Sequence, residues 1–226
     1  MKPRITVEQT TSCTRLPLEL VEHDGRYSLE CRGSQVAAQN WGNPAIELME
    51  MICQPFRPAK KPRLIFLGLG FGHAVAAALH FLPQEKASFV IFPEADVLPE
   101  WLETHLPESP IDDDRNRVHI ETFSPFNPIP PEFAKSQAVI MDLDHLVALS
   151  PGGYDPTHPA SLHNIFDSLK VGGLLGIIGS RLDNGLKKKL QKCGFEVAHE
   201  FVALSEKSKK QRTLYLARKG HYRGNR

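Results

Sequence analysis

Three groups of residues in this chain could do chemistry together. Gly68, Gly70 and Gly72 close the apolar run Leu64 to Leu67 and open an alanine-rich run ending at Leu79. A strand, tight loop and helix of this kind is a phosphate, nucleotide or nucleoside loop, because glycine lets the backbone turn sharply and a ligand approach where a Cβ would collide. Glu94 and Asp96 follow a second apolar run, Ser88 to Phe92, and Glu94 comes after Gly72 at about the 20-residue spacing at which an acid meets a ribose. An ionised carboxylate is acceptor-only, so Glu94 can take both ribose hydroxyl protons. Asp142 and Asp144 flank Leu143 at the end of a further run, Ala138 to Met141. Paired carboxylates there can deprotonate an amine nucleophile or bind a cationic substrate.

Each group also has a plain structural use. Glycines at a strand end pack a helix closely on a sheet, and Glu94 can be a solvated surface residue. Asp96 either meets the ligand or caps a helix starting at Val97. Asp142 can equally begin a loop by bonding to the backbone. The glycine spacing is G-x-G-x-G; a dinucleotide fingerprint would need glycine where His73 stands, yet nicotinamide dinucleotides satisfy the same ribose logic and stay in competition. D-x-D can hold a metal-bound nucleotide sugar, which leaves the glycine loop unexplained. No H-x-x-H, H-E-x-x-H or C-x-x-C occurs, and Cys13, Cys31, Cys53 and Cys193 are scattered, so neither a metal site nor a disulfide framework is expected.

The elements around these residues fall into two parts. Leu16 to Glu22, Tyr27 to Cys31 and Ser34 to Ala38 read as short strands joined by turns at Asp24-Gly25 and Arg32-Gly33, which makes a small antiparallel sheet. Asn43 offers a cap with Pro44 behind it, for a helix whose apolar face holds Ile46, Met49, Ile52 and Cys53. From Arg63 to about Ala203 strands and helices alternate, with strands at Leu64, Ser88, Arg117, Ala138, Leu174 and Phe195 and helices after the glycine loop, at Val97 to Leu106, at Ala160 to Leu169 and after the cap Asp183. The Ala160 helix should stop at Gly172-Gly173, and the loop Ser150 to Pro156 precedes it. Alternation predicts a parallel sheet covered by helices on both faces. Thr213 to Ala217 follows the last strand without a helix, so that pair must be antiparallel. The strand ends carrying the glycine loop, Glu94 with Asp96, Thr122 with Phe123, and Asp142 with Asp144 should meet in one crevice.

Composition sets limits. With 226 residues, 41% hydrophobic and 23% charged, this is an ordinary globular chain with room for a large domain and a small appendage. A formal net charge of +1 argues against a dedicated nucleic-acid binder, and no apolar run is long enough for a membrane helix. With no apolar leader in MKPRITVEQTT, a reduced cytoplasmic setting is the expectation. Arg212, Arg218, Lys219, Arg223 and Arg226 read as a solvated basic end. The expected division is a β-hairpin unit with its helix over residues 1–57, a nucleoside-binding domain over 58–220 and a tail over 221–226.

With these residues in place, the chain resembles the spermidine synthase-like group of class I methyltransferase-fold proteins over most of its length. DGRYSLECRGSQVAAQNWGNPAIELMEMICQP resembles that group's small β-domain and connecting helix, and Gln35 matches its glutamine near the nucleoside. GLGFGH resembles the loose first motif of S-adenosylmethionine-binding proteins, FVIFPEADV the motif whose acid (Glu94) holds the ribose, VIMDLDH the strand carrying the catalytic aspartate (Asp142), and LKVGGLLGI the stretch that follows. The resemblance implies an α/β, Rossmann-like class I methyltransferase fold with a seven-stranded, mainly parallel sheet, an antiparallel last strand and a small N-terminal β-domain. It also implies S-adenosylmethionine or its decarboxylated form as co-substrate, a small-molecule acceptor and a homodimer.

The departures fall where chemistry is done. Phe71 stands in place of the aspartate that meets the aminopropyl amine, Thr122-Phe123 replaces G-D, D-x-x-D becomes Asp142-Leu143-Asp144-His145, and the tyrosine before Pro55 is missing. Polyamine recognition needs several carboxylates, since an unpaired buried ammonium is costly. The expectation is therefore a methyl or aminopropyl transferase of S-adenosylmethionine type other than spermidine synthase. Phe71 and Phe123 then offer apolar surface to adenine or a sulfonium. A non-catalytic nucleoside- or partner-binding descendant is the alternative, ahead of an NAD-dependent oxidoreductase.

Overall fold

The structure, a computed structural model, describes residues 3–106, 109–113, 115–150, 152, 154–205 and 208–220. The expected tail at 221–226, with Arg223 and Arg226, and the loop residues Pro151 and Gly153 lie outside the described residues.

Four strands, β1 (Ile5–Thr11), β2 (Pro17–His23), β3 (Arg26–Cys31) and β4 (Ser34–Ala38), form an antiparallel sheet in sequential order. Both tight turns have two consecutive residues at positive φ, Asp24 (52°) with Gly25 (75°) and Arg32 (51°) with Gly33 (72°). That twist matches the strands on either side. β1 was not foreseen. None of its residues is fully buried, so it lacks the apolar alternation by which a strand is recognised.

The helix α1 (Asn43–Cys53) crosses from the small sheet to the large one. Asn43 does not cap it: its amide donates to the Ala203 carbonyl (2.9 Å), and Gly42 precedes the helix without a side-chain cap. The buried stripe runs through Ala45, Leu48, Met49, Ile52 and Cys53, and Ile46 falls outside it, 46% exposed.

The large sheet comprises β5 (Arg63–Leu67), β6 (Ser88–Phe92), β7 (Val118–Ile120), β8 (Ser136–Asp142), β9 (Leu169–Gly179), β10 (Phe195–Ala203) and β11 (Gln211–Lys219), in the order β10-β11-β9-β8-β5-β6-β7. β7, β6, β5, β8 and β9 are parallel, and β11 runs antiparallel to both its neighbours. The central strands are apolar throughout, as burial on both faces requires: Leu64, Ile65, Phe66 and Leu67 of β5 are all buried. The covering helices are α2 (His73–Phe81), α3 (Leu98–His105), α4 (Leu143–Leu149), α5 (Pro159–Ser168) and α6 (Asn184–Lys192). One apolar cluster runs from Leu18 of β2 to Ala217 of β11 and joins the two sheets. No helix among the described residues is long and apolar enough to cross a membrane.

Several boundaries differ from the sequence reading. α5 stops at Ser168, and Gly172 and Gly173 lie inside β9, opposite a register shift in β8 between Ser136 and Ala138. Asp96 does not cap α3, whose N-terminal residue Val97 has no side-chain cap. Asp183 does cap α6, accepting from Gly185 N at 2.7 Å and Leu186 N at 3.2 Å. The basic end is not simply solvated: Lys219 Nζ donates to the carbonyls of Phe166 (2.6 Å) and Leu169 (2.7 Å).

Helix α1 can lie on β9 because Gly176 has no side chain. A Cβ there would collide with Ile52 and crowd Leu48. Gly176→Val should therefore cost about 1–3 kcal/mol by overpacking. A urea unfolding midpoint equal to that of the parent chain would contradict this docking.

Candidate functional site

Glu94 is the centre of the glycine loop. Its side chain is 0% exposed, and its two oxygens accept from Leu69 N (Oε2, 2.8 Å) and Gly70 N (Oε1, 3.1 Å). Gly68 donates its own N–H to the Phe92 carbonyl at 2.9 Å, which holds the end of β5 beside that of β6. Gly68 adopts φ 95°, and a Cβ there would come within 2.8 Å of Glu94 Oε1. The loop thus wraps the carboxylate as closely as glycine permits.

His145, on the first turn of α4, contacts Glu94 Oε1 through Nε2, while its Nδ1 faces the Val36 carbonyl of β4 at 3.4 Å. Burial pushes the imidazole pKa down, but the adjacent carboxylate outweighs it and raises the value to about 9. Burial likewise works against ionised Glu94, and His145 with the loop N–H groups still holds it below the usual carboxylate range. An oppositely charged partner in contact favours the charged form of both groups.

Asp142 ends β8 and caps α4. Its Oδ1 accepts from Asp144 N (3.1 Å) and His145 N (3.2 Å), so the aspartate that opens the motif also builds the helix carrying His145. Arg212, the second residue of β11, brings Nη2 to 2.8 Å from Asp142 Oδ1 and 2.9 Å from Asp144 Oδ2, with Nε 3.3 Å from the Gly179 carbonyl. Enclosure raises the Asp142 pKa, with Arg212 pulling the other way. The Arg212 side chain is only 13% exposed, contrary to the expectation of a solvated basic residue.

Between these groups lies a cavity of about 100 Å³. The ends of β5 and β8 form its floor, at the point where strand order reverses. Val36, Phe71, Met141 and Ile178 give it apolar walls, and Glu94, Asp142, His145 and Arg212 are its charged groups. Of the residues singled out in the sequence, Gly68, Gly70, Phe71, Glu94 and Asp142 line this cavity. Gly72 sits just behind, where its N–H closes a turn onto Leu69 O (2.9 Å), and Asp144 joins through Arg212. Asp96, Thr122 and Phe123 are exposed and line no part of it. Phe123 stands edge-on to Phe92, with ring centres 6.2 Å apart. Gln35 is exposed on β4 and faces a different hollow, beside Arg4, Tyr27 and Glu30. His145 and Arg212 were not singled out as site residues. Among the described residues, no group of histidine, cysteine and acidic side chains could hold a metal ion.

The fold is that of the class I methyltransferases, with the small N-terminal sheet of the spermidine synthase-like type. The chain is similar to the crystal structure of spermidine synthase from Thermotoga maritima, with a TM-score of 0.69 and 13% identity over 95% of this chain and 73% of that one. It is equally similar, at TM-score 0.69 and 14% identity, to a spermidine synthase in complex with the transition-state analogue AdoDATO, over 95% of this chain and 72% of that one. A probable spermidine synthase from Corynebacterium glutamicum aligns at TM-score 0.58 and 15% identity, over 96% of this chain and 81% of the other. No family model and no curated protein matches the sequence. At such identities the likeness is one of fold.

The Glu94–His145 pair makes stability depend on pH. A raised His145 pKa contributes stability that is fully present below its ordinary value of 6.5 and is lost as pH rises towards about 9. The lowered Glu94 pKa contributes stability above its ordinary 4.5 that is lost in acid. Urea midpoints followed from about pH 6 to pH 10 should fall in the parent chain, and His145→Gln should flatten that fall. Parallel slopes in the two proteins would show that the pair is not coupled to folding.

Proposed function

We propose that this chain is an S-adenosylmethionine-type group transferase, moving a methyl or aminopropyl group, and that it is not a spermidine synthase. The observation that carries the reading is the glycine loop drawn around the Glu94 carboxylate beside a cavity at the strand-order reversal, with Asp142 opposite. A loop of this kind at the switch point of an α/β sheet is where such folds bind nucleosides. Similarity to spermidine synthases, one of them bound to AdoDATO, supports the same class of ligand.

The residues present fit such a nucleoside. At Gly70 a Cβ would meet nothing within 4 Å, so the loop leaves room for a ligand against its backbone. The cavity is smaller than the roughly 300 Å³ at which drug-sized sites begin, so it suits the amino-acid tail, with the adenosine lying over the outer loop surface. Exposed Phe123, propped edge-on by Phe92, offers a ring to the base there. When bound, S-adenosylmethionine supplies a carbon made electrophilic by the neighbouring sulfonium. The chain would contribute alignment and exclusion of water, with Asp142 positioned to orient an acceptor. Polyamine synthesis is set aside because Arg212 engages both Asp142 and Asp144 and would repel an acceptor that carries ammonium groups alone.

That engagement also favours a second reading, nucleoside binding without transfer. Calorimetry with S-adenosylmethionine, methylthioadenosine and NAD addresses the shared core of both. A sulfur nucleoside should bind and NAD should not. Phe123→Ala, a surface change, should weaken the nucleoside about 5- to 150-fold, as lost base stacking of about 1–3 kcal/mol implies. Binding of NAD alone would sink the proposal in favour of an oxidoreductase.

A further inference from the structure

Charge is distributed unevenly over the cavity. Glu94 and His145 form a closed pair with no net charge. Asp142, Asp144 and Arg212 form a second cluster in which one guanidinium lies between two carboxylates, at 2.8 Å and 2.9 Å. Arg212 comes from a different part of the fold, and the antiparallel course of β11 alone puts its first residues at this end of the sheet: Thr213 pairs with Gly179, the last residue of β9. Its Nε and Nη2 make the contacts described above, which leaves the two N–H groups of Nη1 unneeded for holding it in place.

An alternating acid, guanidinium and acid is the complement of a zwitterion. An α-amino carboxylate presents an anion, which a guanidinium binds, and an ammonium, which carboxylates bind. A chain bearing ammonium groups alone meets the same carboxylates but is repelled by the guanidinium. S-adenosylmethionine carries such a zwitterion in its amino-acid tail, and its decarboxylated form has lost the carboxylate that a guanidinium binds.

Resting on the transferase reading, we infer that Arg212 is a specificity-determining residue that selects the carboxylated, amino-acid tail of S-adenosylmethionine over the decarboxylated tail. The cavity volume suits such a tail, and the apolar walls formed by Met141 and Ile178 suit the methylenes between sulfur and amino acid.

Calorimetry with S-adenosylmethionine, decarboxylated S-adenosylmethionine and methylthioadenosine, on the parent chain and on Arg212→Met and Arg212→Lys, tests this. The parent should bind the carboxylated form at least tenfold more tightly than the decarboxylated one. Arg212→Met should abolish that preference while leaving methylthioadenosine, which has no amino-acid tail, unaffected, and that second result also shows the variant to be folded. Arg212→Lys, keeping the charge without the planar fork, should retain part of the preference. Equal or tighter binding of the decarboxylated form by the parent chain overturns the inference and leaves the transferase reading standing. An unchanged preference in Arg212→Met does the same. Absence of binding by all three nucleosides overturns both. Should Arg212→Met fail to fold, the ratio measured on the parent chain still decides.

Discussion

A carboxylate removed from water must be matched by donors and countercharge, and the arrangement of this molecule follows from how Glu94 is matched. Removing one partner from a buried pair costs about 3–5 kcal/mol, because the remaining charge stays behind without solvent. Glu94 draws its partners from several elements at once: the N–H groups of Leu69 and Gly70 after β5, and His145 on α4. His145 in turn faces Val36 of β4 with its other ring nitrogen. One buried charge thereby links the glycine loop, the helix after β8 and the small N-terminal sheet. The positive φ of Gly68 belongs to the same requirement, since a side chain there would meet the carboxylate it has to enclose.

The C-terminal hairpin supplies what the parallel strands cannot. Parallel strands deliver their carboxyl ends to the cavity, each followed by a loop or helix. A reversed strand instead delivers its beginning. β11 enters the sheet at the cavity end with Arg212, and the end of β10 is fastened there too, through Asn43 and the Ala203 carbonyl. The antiparallel ending is thus more than an edge feature: it imports a cation among acids contributed by β8 and α4. Asn43 fails as a helix cap because it is already the first residue of α1, behind Gly42, and its Nδ2 donates instead to the Ala203 carbonyl of β10.

The fold was readable from the sequence because its signals are local. Glycines follow an apolar run, Asp-Gly and Arg-Gly mark tight turns, and the absence of a helix between the last two strands forces their reversal. The site was readable only in part. Gly68, Gly70, Phe71, Glu94 and Asp142 announce themselves by type and by position at strand ends. His145 does not: a histidine three residues beyond an aspartate is ordinary, and its role appears only once Asp142 caps α4 and turns that residue inward. Arg212 sat in a run of lysines and polar residues that reads as solvent-facing, and only strand pairing distinguishes it from Lys209 or Lys210. Asp96 and Gln35 are the converse case: one was singled out by its place after a strand and the other by resemblance, and neither side chain lies on the cavity. Strand β1 escaped notice because it buries no residue fully and so writes no alternation into the sequence.

Charge at this site therefore has two origins with different freedom to change. Glu94 and the glycines are bound into the loop geometry, and altering either disturbs the backbone around it. Arg212 rests on side-chain contacts with Asp142, Asp144 and the Gly179 carbonyl, so replacing it would leave the strand ladder and the loop intact. At an effective dielectric constant of about 20, a unit charge about 4 Å away is worth about 4 kcal/mol. A single side chain on an imported strand can thus outweigh the differences in ligand binding that the shared fold leaves open. That is the physical reason why a common architecture does not fix a common substrate. On the proposed reading, the loop holds the nucleoside and the cation opposite sets the charge that its tail has to carry.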